Sequence, residues 1–173
     1  MKWIFAALLA TSSCLAFASD CVKFTDEDYC NVWKNKDGDV KTIEFLRKDQ
    51  SLESWDKMIT AKLYSDKSAL KQVLPGYVKS VKSMFAIKPE ILSPPNSQHE
   101  EEVFILMVLL APDKSHYEYV INRFYRDANT VSSVFYSHKL PFAKNVDFTD
   151  IMENKNSWLE QLQQIKIESY FGA

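Results

Sequence analysis

Polar and apolar residues alternate through several short stretches of this chain, and between them the apolar period lengthens to that of a helix. Val40, Thr42 and Glu44 alternate with Lys41, Ile43 and Phe45, and Val32-Trp33-Lys34 precedes them across Asp37-Gly38. That pattern predicts a β-hairpin, because Asp-Gly readily takes the positive φ of a tight turn. Ser51 can cap a short helix carrying Leu52, Trp55 and Met58, and residues 59–64 read as a strand. Leu70, Val73, Leu74, Tyr77, Val81, Met84 and Phe85 recur at helical spacing, with Pro75-Gly76 either starting or kinking that helix. Residues 87–98 hold Pro89, Pro94 and Pro95 and read as a loop.

Three strands follow in the pattern. Residues 103–110 are continuously apolar, as in a central strand, and residues 117–125 alternate. Residues 131–138 make the third, and the turns at Pro112–Ser115 and Asp127–Asn129 are short enough for an antiparallel meander. Ser157 and Glu160 form a capping box for a closing helix with Trp158, Leu162 and Ile165 on its buried stripe. Strands cluster and helices cover them, so the expected fold is α+β: an antiparallel sheet of five to six strands with helices packed on it. Residues 19–173 form one domain in this reading, with no internal repeat or linker.

The first eighteen residues change the picture by giving an address. Lys2 supplies a positive start, an apolar run follows, and Ala16-Phe17-Ala18 is a small-x-small cleavage site before Ser19-Asp20. This is the layout of a secretory signal peptide over residues 1–18, too short to span a membrane. Cleavage discards Cys14 and leaves Cys21 and Cys30, an even pair that an oxidising compartment joins as a disulfide. A rival reading lipidates Cys14, but Thr11 stands where a lipoprotein leader carries Leu. The whole chain has a net charge of −2 and loses Lys2 with the leader, so it has no basic footprint for nucleic acid. No later segment reaches transmembrane length.

The segment Ser51–Thr60, the strands holding Tyr117–Arg123 and Val134–His138, and the helix with Trp158 resemble a group of small, mostly uncharacterised exported bacterial proteins. The layout is also similar to PsbP-like and DcrB-like domains, which lay helices on an antiparallel sheet. The resemblance covers about residues 40–165. It implies a fold and an export route, and it carries no catalytic residue set.

Candidate chemistry is sparse. Three glycines, Gly38, Gly76 and Gly172, cannot build a phosphate-cradling loop or a nucleophile elbow. Ser68-Ala-Leu-Lys71 matches an acylating motif, but its partner motifs are missing. His99 before Glu100-Glu101-Glu102 could offer metal ligands, yet neighbours on an extended chain point to opposite faces, so a solvated acidic loop is preferred. No cofactor and no metal site is expected.

Three residues remain as a candidate binding surface: Trp33, Arg123 and His138. Arg123 interrupts an apolar and aromatic strand. If its face packs inward, it needs a partner such as Glu44 or Glu118; the preferred reading leaves it on the solvent face with its stem over tyrosine rings. The functional expectation is an exported, periplasmic or released, non-enzymatic binding or accessory protein for an unidentified protein or small ligand, with a groove between sheet and helix as the default site. Its rivals are a secreted effector, and a hydrolase built from dispersed residues such as His138 or His99 with nearby acids.

Overall fold

Cys21 and Cys30 face each other across the first hairpin and form a disulfide, with Cα atoms 3.9 Å apart. This hairpin is β1 (Cys21–Phe24) and β2 (Glu27–Asp37), joined by Thr25 and Asp26, both at positive φ. Two positive-φ residues twist the turn the way the strands twist. Neither is glycine, so the turn carries a backbone cost that the ladder and the disulfide offset. The structure is a computed structural model that describes residues 21–94, 96, 97 and 99–171. The predicted leader, with Cys14, lies outside the described residues.

Gly38, at φ 57°, turns β2 into β3 (Val40–Arg47), as the Asp-Gly pattern predicts, and β4 (Lys57–Tyr64) follows. A 3-10 turn at Leu70–Gln72 leads into α1 (Leu74–Val81), which has Pro75 in its first turn, where a missing N–H is harmless. Then come β5 (Phe85–Leu92), β6 (Glu101–Leu110), β7 (His116–Asp127), β8 (Thr130–Pro141) and α2 (Thr149–Gln164). A last 3-10 turn, Glu168–Phe171, docks back on the first hairpin, where the Tyr170 hydroxyl donates to the Cys21 carbonyl at 3.0 Å.

All eight strands lie in one antiparallel sheet, ordered β1-β2-β3-β4-β8-β7-β6-β5. It is two four-stranded meanders joined where β4 pairs with β8. To pass from β4 to the far edge at β5 the chain crosses one face, and α1 covers it there. After β8 the chain returns across the other face as α2. The α2 face buries Phe24, Phe45, Ile59, Ile121, Val134 and Tyr136 against Ile151, Trp158 and Leu162. The opposite face buries Ile105, Met107, Phe124 and Phe135 against Leu70, Val73 and Tyr77. Full burial of a side chain such as Leu162 is worth about 1.5–3 kcal/mol. Residues 104–109 of β6 are continuously apolar because both of their faces are covered.

The fold is therefore mainly β, with eight strands, and not α+β with five to six. Two strands account for most of the correction. Residues 21–30, to which the pattern assigns no strand, form the β1–β2 hairpin that the disulfide closes. Phe85–Leu92 is a strand despite Pro89, which an edge position tolerates, and its pairing with β6 shifts register twice. The helices also differ. The short helix at Ser51 is a set of turns, in which Ser51 Oγ donates to Glu53, and Trp55 is half-buried with Lys139 Nζ 3.8 Å over its ring. The helix expected at Ser157 begins eight residues earlier, and Ser157 Oγ, inside it, accepts a bond from Gln161 Nε2. No helix among the described residues is long and apolar enough to cross a membrane.

Candidate functional site along helix α2

Arg123 sits in the middle of β7, on the face that α2 covers, and is 1 % exposed. Its Nε donates to Glu102 Oε1 at 2.6 Å, and its Nη1 donates to the carbonyls of Leu162 and Ile165, each at 3.0 Å. Those carbonyls belong to the C-terminal end of α2, where the Leu162 carbonyl also accepts the Ile165 N–H at 3.2 Å and the helix dipole favours a cation. The guanidinium also lies 4.1 Å over the Tyr125 ring. Arg123 is thus buried rather than on a solvent face, and its partner is Glu102, not Glu44 or Glu118; contact with a tyrosine ring is the part of the expectation that the structure keeps. Glu102 is itself enclosed and takes a second bond from Gln163 Nε2 at 3.3 Å.

One flank of α2 faces β5, β6 and the segment joining them. Met152, Asn156, Glu160 and Gln164 recur along it at i,i+4, alongside Ile151, Lys155, Leu159 and Gln163. Three clefts follow this flank. The first, about 310 Å³, is apolar and lies between Ile87, Leu106, Tyr119, Phe148 and Met152. A Lys155–Glu90 pair at 3.5 Å spans from helix to edge strand beside it. The second, about 440 Å³, is walled by Leu92, Pro94, Phe104 and Leu159. It shares Asn96, Glu160 and Gln163 with the third, about 400 Å³, which is polar and has Arg123 and His99 in its wall. The three clefts thus grade from apolar to polar along one helix.

Beneath the other end of α2 lies a different cluster. Tyr119 and His138 are direct partners across β7 and β8, and Tyr136 is the next residue on that face of β8. All three surround the Trp158 indole, with ring centroids 6.3, 6.3 and 5.0 Å away for Tyr119, His138 and Tyr136. The hydroxyls of Tyr119 and Tyr136 and the Nδ1 of His138 are enclosed without a hydrogen-bond partner. His138 Nδ1 stands 4.0 Å from Asp150 Oδ2 in the first turn of α2. Burial, helped by Lys57, lowers the His138 pKa against the opposing pull of Asp150 and Asp56. Burial likewise raises the Tyr136 and Tyr119 phenols well above their ordinary value.

Arg123 and His138 thus share one face under opposite ends of α2. Trp33 does not join them. It pairs with Glu44 just after a bulge in β2 and is 38 % exposed beside the exposed Val32. The four-residue run from His99 to Glu102 is divided. The His99 ring packs 4.5 Å from Tyr125, Glu100 and Glu101 pair with Arg126, and Glu102 turns inward to Arg123. Among the described residues no group of three or more His, Cys, Asp or Glu is placed to hold a metal ion. The sequence pattern did not single out Gln163, Tyr119 and Tyr136, and it placed Glu102 in a solvated acidic run. The tight turn after β6 was the available signal, because it sets a register with Phe104 opposite Arg123 and Glu102 diagonal to it.

A model of an uncharacterised protein family matches residues 18–167. The chain belongs to that family. No curated protein and no solved structure matches it. The family match spans the sheet from β1 through β8 and all of α2, so it takes in both the Arg123 network and the His138 cluster. It stops short of the final 3-10 turn.

Proposed function

We propose that this chain is exported and works as a non-enzymatic binding or accessory protein, with the groove along α2 as its site. The observation that carries the reading is that graded row of clefts, which ends on a buried guanidinium. Sites for small ligands are concave, mostly apolar and fixed by a few polar groups. The Cys21–Cys30 disulfide supports an oxidising destination, since such bonds persist outside the reducing cytosol. The leader pattern of residues 1–18 and the resemblance to exported bacterial proteins point the same way, and the family match begins at residue 18, on the border of that leader.

Mass spectrometry of the protein recovered from the expressing cells tests export. The expected result is a mature chain starting at Ser19 with no free thiol at Cys21 or Cys30. A retained leader or two free thiols overturns the reading, and a lipidated Cys14 at the N-terminus would replace a released protein with an anchored one. Recovery from the culture supernatant, without periplasmic markers, would favour the effector reading.

A hydrolase has one observation in its favour, the approach of His138 to Asp150. The neighbouring Ser137 belongs to the opposite face of β8 by strand alternation, so that hydroxyl does not reach His138.

A further inference from the structure

We propose that the cleft beside Arg123 binds a small, uncharged, hydroxyl-rich molecule of the saccharide class, an inference that deepens the binding reading above and rests on it. Arg123 lines this cavity of about 400 Å³ although it is almost wholly buried. Its Nε and Nη1 are engaged, and among the described residues no acceptor bonds Nη2. Nη2 is therefore the donor left for an occupant, held in place by three bonds on the same guanidinium. Gln163 gives its Nε2 to Glu102, which leaves its carbonyl oxygen as an acceptor for the same cavity, which Gln163 lines. Asn96 and Gln164 each add both a donor and an acceptor, and Glu160 adds acceptors.

The charge balance selects among ligands. Glu102 neutralises Arg123 at 2.6 Å, and Glu160 on the wall tips the cavity negative, so phosphates and carboxylates are disfavoured. A cation would face the guanidinium. An apolar ligand would leave Nη2 unpaired in a dried site, a penalty larger than the mean worth of a hydrogen bond. Hydroxyl groups both donate and accept, which matches the mixed walls. The adjoining cleft, with Leu92, Phe104 and Leu159, offers an apolar surface for the C–H face of a ring. The volume lies within the range of small-molecule sites.

The test is a nitrogen-15 NMR titration of the mature, disulfide-intact protein with glucose, N-acetylglucosamine and sucrose, run beside acetate and phosphate. At least one sugar is expected to give saturable shifts of the Gln163 and Gln164 side-chain amides and of the Arg123 Nε–H. Gln164 is exposed, so Gln164→Ala should keep the thermal stability and weaken that sugar about tenfold. Unmoved signals with all three sugars, equal shifts with acetate or phosphate, or undiminished affinity in Gln164→Ala each overturn the proposal. A protein that starts at Ser19 with blocked thiols and fails this titration loses the ligand class alone. A protein that keeps its leader loses the export reading whatever the sugars do.

Discussion

The two ends of α2 rest on the same sheet face, yet they are held by opposite kinds of contact. At the C-terminal end polar groups are closely matched. Arg123 serves Glu102 and two helix carbonyls, the Tyr125 hydroxyl donates to Glu168 Oε1 at 2.8 Å, and Gln161 Oε1 accepts the Thr25 N–H of the first hairpin at 2.7 Å. At the N-terminal end Tyr119, Tyr136 and His138 enclose three polar atoms that bond to nothing, and apolar packing on Trp158 does the holding. A buried charge demands a complete set of partners, whereas a buried phenol or neutral imidazole survives without one at moderate cost. One end is therefore fixed by directional bonds, and the other by shape.

The largest effect should come from breaking the directional end. Arg123→Met leaves Glu102 enclosed and without its cation, and it takes the guanidinium from two carbonyls, of which Leu162 keeps the Ile165 N–H. Unfolding by denaturant should show a loss of about 3–5 kcal/mol. Adding Glu102→Leu should restore most of that loss, because replacing both members of a buried pair by apolar groups is often nearly neutral. Recovery should stop short by what the Leu162 and Ile165 carbonyls lose. If Arg123→Met costs less than about 1 kcal/mol, the network does not hold the helix and the contrast between the ends fails.

Tyr125→Phe probes the same end more gently. It removes one donor from Glu168 and keeps the ring under the guanidinium, so a loss of about 1.5 kcal/mol is expected, the low end for a bond to a charged acceptor because Glu168 is exposed. A neutral result would leave that end to Arg123 and the Gln161–Thr25 bond.

How much of this was legible depended on which signal each residue carried. The meander of β6, β7 and β8 could be read because a continuous apolar run in β6, alternation in β7 and short turns agree there. The first hairpin could not, because Thr25 and Asp26 adopt left-handed backbone without the glycine or asparagine that announces it. Pro89 hid β5, since only the strand's place at the sheet edge makes proline acceptable. Ser157 and Glu160 imitate a helix start within α2, while the true start at Thr149 has no side-chain cap from Phe148. Arg123 stood out as a lone charge among apolar neighbours. Its partner Glu102 did not, because beside Glu100 and Glu101 it read as part of a solvated run, and only pairing with β7 turns it inward.

A third effect is spread over pH and belongs to the N-terminal end. Burial lowers the His138 pKa below its ordinary 6.5. The groups around it are Lys57 at the start of β4 and Asp56 just before it, Asp150 and Trp158 from α2, and Tyr119 and Tyr136 on the neighbouring strand positions. The folded state then binds fewer protons than the unfolded one as pH falls past 6.5. The associated stability is present in full above the unfolded pKa and is lost as pH drops through it to the lower folded value. Denaturant midpoints measured from about pH 8 down to pH 5 should therefore fall, and His138→Leu should flatten that part of the profile. An unchanged slope in the variant would assign the dependence elsewhere.

The smallest effect is the most discriminating. Tyr136 is wholly buried, and its hydroxyl has no partner although its ring packs tightly on Phe24 and Trp158, at 4.7 and 5.0 Å. Tyr136→Phe keeps the ring and removes only the unbonded oxygen, so stability should stay within about 0.5 kcal/mol of the parent or rise by up to about 1 kcal/mol. Tyr125→Phe makes the same chemical change at the other end of the helix, where the hydroxyl is bonded. The pair of variants thus isolates one hydroxyl in each setting, with ring, strand position and burial nearly matched. A loss in Tyr136→Phe as large as in Tyr125→Phe would mean that this phenol is engaged after all, and that both ends of α2 are held by directional bonds.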